Sequence, residues 1–359
     1  MRFVVIMAGG AGTRLWPLSR QGRPKQLLEI VDGKSLLRLA YERVSPLVPD
    51  DRILVCTGRV HADDVAAQLP ELAAGNILGE PEGRDSLNAV AWSAAEVARR
   101  DPDAVVAMVT ADQVITPVDE FARSLDVAFT VAEAHDDALV TLGVVPTSPH
   151  TGYGYLHKAD ELPGFPGVHA VAEFKEKPSA EVAERYVASG EYWWNAGMFV
   201  WRAETLLGQL DELLHSTADT VRQIVAEPER LDELFPTLQK ISVDYAVMEP
   251  VSQGATGARV VSVPLAIDWR DVGGYLSLAD LLSTDENGNR VDGRTVTLDS
   301  SGCIVVNTAG PAHLVATLGL RDTLVVATGT ATLVAVLGET ERVKELVELV
   351  RTRVGAEFA

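Results

Sequence analysis

The sequence has little cysteine and no long apolar run, and both shortages exclude classes of protein. Cys56 and Cys303 are the only cysteines in 359 residues, too few for a disulfide framework or a cysteine metal site. Low cysteine use is typical of a reducing compartment, so we predict a cytoplasmic protein. No stretch approaches the roughly 18 apolar residues of a membrane span, and the N-terminal apolar run is too short for a signal peptide. We therefore predict neither membrane insertion nor secretion.

Positive charge is also scarce. The chain has 31 lysines and arginines against 51 acidic residues, a formal net charge of −20. A field of this sign repels nucleic acid and anionic lipid, which argues against a polynucleotide-binding function. If the substrates are anions, the cations that bind them must be concentrated at one place.

Short β-branched runs alternate with amphipathic helical patterns over about the first 280 residues. The runs at 4–7, 53–57, 105–109 and 139–145 predict strands that are buried on both faces. This alternation predicts an α/β fold with a mixed, mostly parallel sheet and helices on both faces. Ligands of such sheets bind at the carboxyl ends of the strands.

The pattern changes in the polar, glycine-containing stretch 285–294. We place a domain boundary there, which gives a catalytic domain at 1–284 and a C-terminal domain at 285–359. Beyond the boundary, short apolar runs separated by turn residues predict a small β-solenoid or sandwich. A terminal helix is predicted from about residue 339 to residue 354.

A glycine-rich segment directly follows the first predicted strand and carries the strongest functional signal. Successive backbone N–H groups in such a loop form a concavity that binds anions. The residues predicted to bind a nucleotide here are Ala8, Gly9, Gly10, Gly12, Thr13, Arg14 and Lys25. The segment lacks the Gly-Lys-Ser/Thr of a P-loop, and Leu15 stands where a dinucleotide fingerprint needs glycine. The simpler interpretation is a glycine-rich turn with surface cations.

Two aspartates fall at predicted strand ends. Asp112 stands at the end of the strand predicted from the run 105–109, and Asp271 follows the apolar run 259–267. Carboxylates together with phosphate oxygens are preferred ligands of Mg²⁺. Either aspartate alone could be a turn or cap residue, but beside the glycine-rich segment they predict a Mg²⁺ site.

Four further polar segments are candidates for substrate contacts. Lys177 lies in a charged turn with Glu176, and Asn195 lies in an aromatic run, where it is equally compatible with a hydrogen-bonded core position. Gly154 offers close backbone approach or simply a tight turn. Glu80, Pro81, Gly83 and Arg84 lead into a predicted helix, whose N-terminus is a plausible site for a nucleotide base or phosphate.

These residues together resemble the sugar-nucleotide pyrophosphorylases. The opening Met-Ala-Gly-Gly-Ala-Gly-Thr-Arg-Leu-Trp-Pro-Leu-Ser-Arg with Pro24-Lys25-Gln26 is similar to the signature of that superfamily, and its Trp-Pro-Leu-Ser version resembles the mannose-1-phosphate guanylyltransferase branch. The resemblance covers nearly the whole chain, because Phe174 to Pro178, Trp194 to Phe199 and Trp269 to Gly273 match later family segments in order.

The resemblance implies a Rossmann-like nucleotidyltransferase domain and a C-terminal left-handed β-helix-like domain that often makes dimer contacts. It implies a homodimer that uses Mg²⁺ on Asp112 and Asp271 to make GDP-mannose and pyrophosphate from GTP and mannose 1-phosphate. The family's phosphate-binding cations fall on Arg14 and Lys25. The sugar-phosphate lysine falls on Lys177, and sugar contacts fall on Gly154, Glu176 and Asn195, with Asp271 near the sugar phosphate.

Two departures from the family pattern concern the base and the metal. Gln113 stands where the family commonly has histidine, and Gly83-Arg84-Asp85-Ser86-Leu87-Asn88 replaces Gly-Arg-Asn-Thr-Ala-Pro. The alternatives are therefore the same chemistry with UTP, dTTP or ATP and glucose 1-phosphate, or a non-catalytic regulator that binds nucleotide-sugars.

Overall fold

A computed structural model describes residues 1–10, 12–20, 22–31 and 33–359. Ala11 of the glycine-rich segment thus lies outside the described residues. The strands are β1 Arg2–Ala8, β2 Glu29–Val31, β3 Lys34–Ser35, β4 Ile53–Gly58, β5 Ile77–Glu80, β6 Val105–Thr110, β7 Gln113–Thr116, β8 Ala138–Val144, β9 Tyr155–Glu161, β10 His169–Lys175, β11 Tyr192–Arg202, β12 Arg259–Pro264, β13 Asp268–Asp271, β14 Arg290–Asp292, β15 Thr295–Leu298, β16 Ile304–Asn307, β17 Val315–Leu318, β18 Thr323–Ala327 and β19 Thr332–Val336.

The α-helices are mostly amphipathic segments between these strands. They are α1 Leu36–Val44, α2 Ala62–Gln68, α3 Asp85–Arg100, α4 Val118–Ala134, α5 Ala180–Ser189, α6 Ala203–Leu213, α7 His215–Ala226, α8 Leu231–Leu234, α9 Glu249–Ser252, α10 Tyr275–Ala279 and α11 Val343–Arg353. Among the helices of the described ranges, none is both long enough and apolar enough to cross a membrane.

The chain divides into two compact units. The first unit comprises Met1–Gly9, Arg38–Ala111 and Ile115–Trp269, and the second comprises Gly10–Leu37, Asp112–Val114 and Arg270–Ala359. Each unit is thus assembled from segments that are far apart in sequence. The division into domains at residues 1–284 and 285–359, which the sequence suggested, stays a prediction.

The first unit is built on a nine-stranded sheet with the order β5-β4-β1-β6-β11-β8-β12-β10-β9. Strand β1 lies inside it because its residues Arg-Phe-Val-Val-Ile-Met-Ala are almost continuously apolar, so both faces are buried. Its neighbours β4 and β6 are parallel to it, whereas β11 runs antiparallel between β6 and β8. The sheet is mixed, as predicted, although the antiparallel β9, β10 and β11 give it more antiparallel pairs than the sequence suggested.

Helix α3 supplies much of the core of the first unit. Its alanine-rich sequence allows close packing, and Leu87, Ala91 and Ala94 are fully buried. The same cluster includes Trp201 and Phe235. Each large apolar side chain buried in this way stabilises the fold by about 1.5 to 3 kcal/mol.

The second unit contains the C-terminal β domain. Strands β14, β16 and β18 pair in parallel, as do β15 and β17, and β19 closes the larger sheet antiparallel to β18. A small core lies between them, formed by Cys303, Val305, Val315, Val325 and Ala327. These stacked parallel strands confirm the predicted β-helix-like domain, and α11 follows it as the predicted terminal helix.

Candidate active site

Gly12 brings the glycine-rich loop of the second unit against the side chain of Lys25. Its φ of +60° lies in the left-handed region, and a Cβ placed there would lie 2.8 Å from the Cβ of Lys25. No other residue fits this position without a shift of the chain. The hydroxyl of Ser19 donates to the Gly12 carbonyl oxygen at 2.6 Å, which ties the following turn to the loop.

Lys25 lies between the two predicted metal ligands. Its Nζ is 2.8 Å from Oδ2 of Asp112 and donates to the Val272 carbonyl oxygen at 3.2 Å. Burial acts to lower the pKa of Lys25, but the charges of Asp112 and Asp271 together raise it above its usual value. The lysine is therefore held as a cation beside both carboxylates.

Asp112 and Asp271 meet in the second unit, as the sequence predicted. The backbone N–H of Val272 donates to the Asp112 carbonyl oxygen at 3.1 Å. Burial, and next the charge of Asp112, raise the pKa of Asp271 to about 6. Two neighbouring carboxylates offer oxygen ligands to a divalent cation, whose charge would neutralise theirs. These residues therefore fit a divalent metal ion.

Arg14 joins this cluster over the double glycine that follows Asp271. A Cβ at Gly273 would lie 3.4 Å from Oδ2 of Asp271 and 3.7 Å from Nη1 of Arg14. The second unit thus brings Arg14, Lys25, Asp112 and Asp271 together. We call these four residues the phosphate cluster.

Tyr275 fastens the signature loop and was not predicted as part of the site. Its buried hydroxyl lies 2.9 Å from the carbonyl oxygens of both Leu15 and Trp16. No sequence signal points to it, because a tyrosine in a short helix after two glycines has many possible partners.

The first unit holds a second group of predicted residues, centred on Glu176. The Lys177 Nζ lies 2.6 Å from Glu176 Oε1, and Glu176 is only 6% exposed. A Cβ at Gly154 would lie 2.6 Å from Glu176 Oε2, so a larger residue there would displace this carboxylate. Lys177 itself has a φ of +46°, which is uncommon for a residue with a side chain and frequent at functional sites.

Asn195 is held by two residues that the sequence did not indicate. Its Oδ1 accepts from Thr141 Oγ1 at 2.8 Å, and its Nδ2 donates to Asp244 Oδ1 at 3.0 Å. Burial, and next the nearby Glu176, raise the pKa of Asp244 to about 7. We call Gly154, Glu176, Lys177, Asn195 and Asp244 the carboxylate cluster. Buried carboxylates and amides of this kind can hydrogen-bond sugar hydroxyls.

Glu80 is the most unusual residue of the predicted base-binding segment. It is 6% exposed at the end of β5, and its Oε1 has no hydrogen-bond partner in the part of the chain that the structure describes. Burial alone raises its pKa to about 7. Its Oε2 lies 3.8 Å from the Cβ position of Gly9, so this carboxylate faces the end of β1.

The end of this segment is anchored to the distant residues Leu238 and Gln239. Pro81 and Gly83 connect Glu80 to Arg84, whose Nη1 donates to the Leu238 carbonyl oxygen at 3.1 Å. Asn88, at the position where the family commonly has proline, donates its amide to the Arg84 and Gln239 carbonyl oxygens at 2.7 Å each. The departure from the family pattern therefore has a structural role in holding the start of α3.

Comparison with known proteins shows the family of the chain. Residues 3–288 match the family model of nucleotidyl transferases, and residues 293–349 match that of the MannoseP isomerase/GMP-like beta-helix domain. A mannose-1-phosphate guanylyltransferase of Salmonella montevideo is 36% identical over 359 residues, which cover 97% of this chain and 73% of that protein. One from Escherichia coli is 36% identical over 362 residues, with the same coverage.

A solved structure is similar over almost its whole length. The crystal structure of a mannose-1-phosphate geranyltransferase from Thermus thermophilus is 34% identical in sequence and superposes with a TM-score of 0.85. The match covers 98% of this chain and 99% of that one.

Proposed function

Since the chain belongs to the nucleotidyl transferase family, among its mannose-1-phosphate guanylyltransferases, we propose that it makes GDP-mannose and pyrophosphate from GTP and mannose 1-phosphate. The observation that carries the proposal is the phosphate cluster, in which two cations and two carboxylates meet beside glycine backbone. This combination suits a metal-bound polyphosphate, which needs both permanent cations and hard oxygen ligands.

In the proposed reaction, an oxygen of the sugar phosphate attacks the α-phosphorus of GTP in line. A new P–O bond forms as the bond from the α-phosphorus to the bridging oxygen of the β-phosphate breaks, and its electron pair leaves with pyrophosphate. The attacking oxygen is already ionised at neutral pH, so the reaction requires no general base. The protein contributes positioning and charge neutralisation.

Arg14 and Lys25 have the charge and the surroundings to hold the departing pyrophosphate. Asp112 and Asp271 would hold the divalent metal ion, which we propose to be Mg²⁺. When bound, the metal neutralises negative charge on the phosphate oxygens. Lys177 would bind the incoming sugar phosphate, because its side chain is 52% exposed and its ammonium is held beside Glu176.

The carboxylate cluster supports a sugar as the second substrate. Glu176 and Asp244 are acceptors for hydroxyl groups, and Asn195 is oriented by Asp244 and Thr141. Gly154 leaves room against Glu176 that a side chain would fill. We propose that this cluster selects mannose.

Glu80 supports guanine as the base. Guanine presents two adjacent donors, N1–H and the exocyclic N2 amine, which match the two oxygens of an ionised carboxylate. Uracil and thymine present a single N–H between two carbonyl oxygens, and adenine presents one amine beside an acceptor nitrogen. A buried carboxylate oxygen without a partner in the described residues therefore favours GTP over UTP, dTTP and ATP.

We also propose a homodimer formed through the C-terminal domain. Strands β15 and β17 expose Val296, Leu298 and Leu318 by 55%, 59% and 69%, and Leu298 is paired with Leu318. Adjacent exposed apolar side chains on a sheet are a common feature of subunit interfaces.

The experiment that tests the proposed function measures pyrophosphate release. GTP, ATP, UTP and dTTP are each combined with mannose 1-phosphate and with glucose 1-phosphate in the presence of Mg²⁺. We expect the highest kcat/KM with GTP and mannose 1-phosphate. A higher value for another pair would replace the substrates but keep the chemistry, and no release with any pair would favour the regulator and refute the enzyme.

A further inference from the structure

Arg14 of the phosphate cluster is ion-paired with a residue of the C-terminal region, Glu341. The Nε of Arg14 lies 3.2 Å from Oε2 of Glu341. Glu341 belongs to the turn Leu337–Arg342 that directly precedes α11, and both residues lie in the second unit. A side chain 327 positions away in sequence thus contacts the cation that we assign to pyrophosphate.

The pair determines which edge of the guanidinium group is available. A guanidinium group presents one edge through Nε and another through its two terminal nitrogens. Glu341 forms its ion pair on the Nε side, while Nη1 lies near Gly273, within 3.7 Å of the Cβ position that also neighbours the Asp271 carboxylate. The terminal nitrogens therefore remain on the side of the metal ligands, where they can bind phosphate oxygens in forked geometry.

The double glycine leaves the space in which this arrangement forms. A Cβ at Gly274 would lie 3.5 Å from Oε1 of Glu341 and 4.0 Å from Cδ of Arg14. Both side chains therefore pass over the same glycine. A Cβ at this position would be in van der Waals contact with both side chains.

The C-terminal region also holds the loop that carries Arg14. The indole Nε1 of Trp16 donates to the Phe358 carbonyl oxygen at 2.7 Å. A cavity of about 230 Å³ is lined by Thr13 and Trp16 from the loop and by Val347 from α11. The contact of Glu341 with Arg14 is therefore one of several between the C-terminal region and the signature loop.

We propose that Glu341 is a positioning residue that orients Arg14 for the triphosphate. The proposal rests on the proposed function, because it assigns Arg14 to the phosphates of GTP. Glu341 does not itself touch substrate, since it lies on the opposite edge of the guanidinium group. The side chains are 46% and 69% exposed, so solvent screens the pair and its effect is limited to about fivefold in affinity.

The test measures the dissociation constant of GTP by calorimetry and, separately, the KM of each substrate. For E341A we expect GTP to bind about three- to fivefold more weakly, with the KM of mannose 1-phosphate unchanged. E341Q keeps an acceptor for Nε, so it should recover part of the loss. E345A is the matched control, because Glu345 is an exposed glutamate of α11 that pairs with Arg342, and it should bind GTP like the unaltered protein.

A double-mutant cycle with R14A separates positioning from a general structural effect. If Glu341 acts through Arg14, adding E341A to R14A should leave GTP affinity unchanged. An equal loss in both backgrounds, tighter GTP binding by E341A, or the same result for E341A and E345A would overturn the proposal. Unaltered protein that binds GTP but releases no pyrophosphate would refute the proposed function instead, and the GTP affinities would still decide the role of Glu341.

Discussion

Replacement of Glu80 by glutamine should stabilise the folded protein and weaken nucleotide recognition. Burial raises the pKa of Glu80 to about 7, whereas an unfolded glutamate has a pKa of about 4.3. The folded state therefore binds this proton more tightly than the unfolded state. The free energy of unfolding falls as pH rises from about 4.3 to about 7 and keeps its lower value at higher pH.

The size of the effect follows from the two pKa values. At about 1.4 kcal/mol for each pKa unit, the buried charge destabilises the protein by about 4 kcal/mol above pH 7. Glutamine has the same shape and no charge. We therefore expect E80Q to increase the free energy of unfolding by up to about 4 kcal/mol at pH 8 and to change it little at pH 4.5.

The same substitution should reduce the preference for guanine. A carboxylate that accepts two N–H groups gains about 1.5 to 3 kcal/mol for a charge-assisted hydrogen bond, so the KM of GTP should rise by about 10- to 100-fold. Inosine triphosphate lacks the exocyclic amine, which makes it the direct probe. The unaltered protein should prefer GTP over ITP, and E80Q should lose most of this preference.

Urea unfolding at pH 4.5 and pH 8 and steady-state kinetics with both nucleotides measure the two effects. E229Q is the control, because Glu229 is an exposed glutamate of the same unit, and it should change neither quantity. A loss of stability at pH 8 in E80Q would refute the desolvation argument. An unchanged GTP-to-ITP ratio would refute the role of Glu80 in reading the base.

Three further substitutions test other parts of the proposal. D112N removes one proposed metal ligand, so Mn²⁺ binding followed by electron paramagnetic resonance should weaken, and turnover should fall by about 10²- to 10³-fold; undiminished Mg²⁺-dependent turnover would contradict the metal assignment. D244A removes the acceptor that orients Asn195, so the KM of mannose 1-phosphate should rise about tenfold while that of GTP stays constant, and a shift in both would indicate a general structural effect. L318K places charge on the exposed face of β17, so light scattering should show monomers with unchanged turnover, and a persistent dimer would exclude this face as the interface.

The sheet of the first unit was predictable where strands are continuously apolar. Strands β1, β4, β6 and β8 differ from their predicted bounds by at most two residues at either end, because a strand buried on both faces appears in the sequence as a continuous apolar run. The direction of a strand leaves no such trace in composition. The antiparallel course of β11 therefore could not be predicted from its residues alone.

The candidate site was predictable only where a residue lies at a strand end or in a glycine-rich segment. Asp112 and Asp271 were predicted because each follows an apolar run, although Asp271 ends β13, which pairs with β7 outside the nine-stranded sheet. Asp244 was missed because it begins a short π-helical turn, Asp244–Met248, that runs into α9 and has no periodic pattern. Glu341 is one of several glutamates in a charged stretch, and only the tertiary fold distinguishes it from Glu345.

An acidic chain can bind anionic substrates because of the way in which the cations of the site are held. Arg14, Lys25 and Lys177 each lie beside a carboxylate, at 3.2, 2.8 and 2.6 Å respectively. The paired carboxylate orients each cation before any phosphate binds. The surroundings of each cation are therefore set by this one neighbour and not by the net charge of −20. At the two lysines, a phosphate oxygen then has to compete with a carboxylate for the same N–H groups. At Lys25 the competitor is a proposed metal ligand, so a metal ion on Asp112 would free the ammonium for phosphate. In the same way, phosphate on Lys25 would free Asp112 for the metal ion. Polyphosphate and the metal ion should therefore each strengthen the binding of the other.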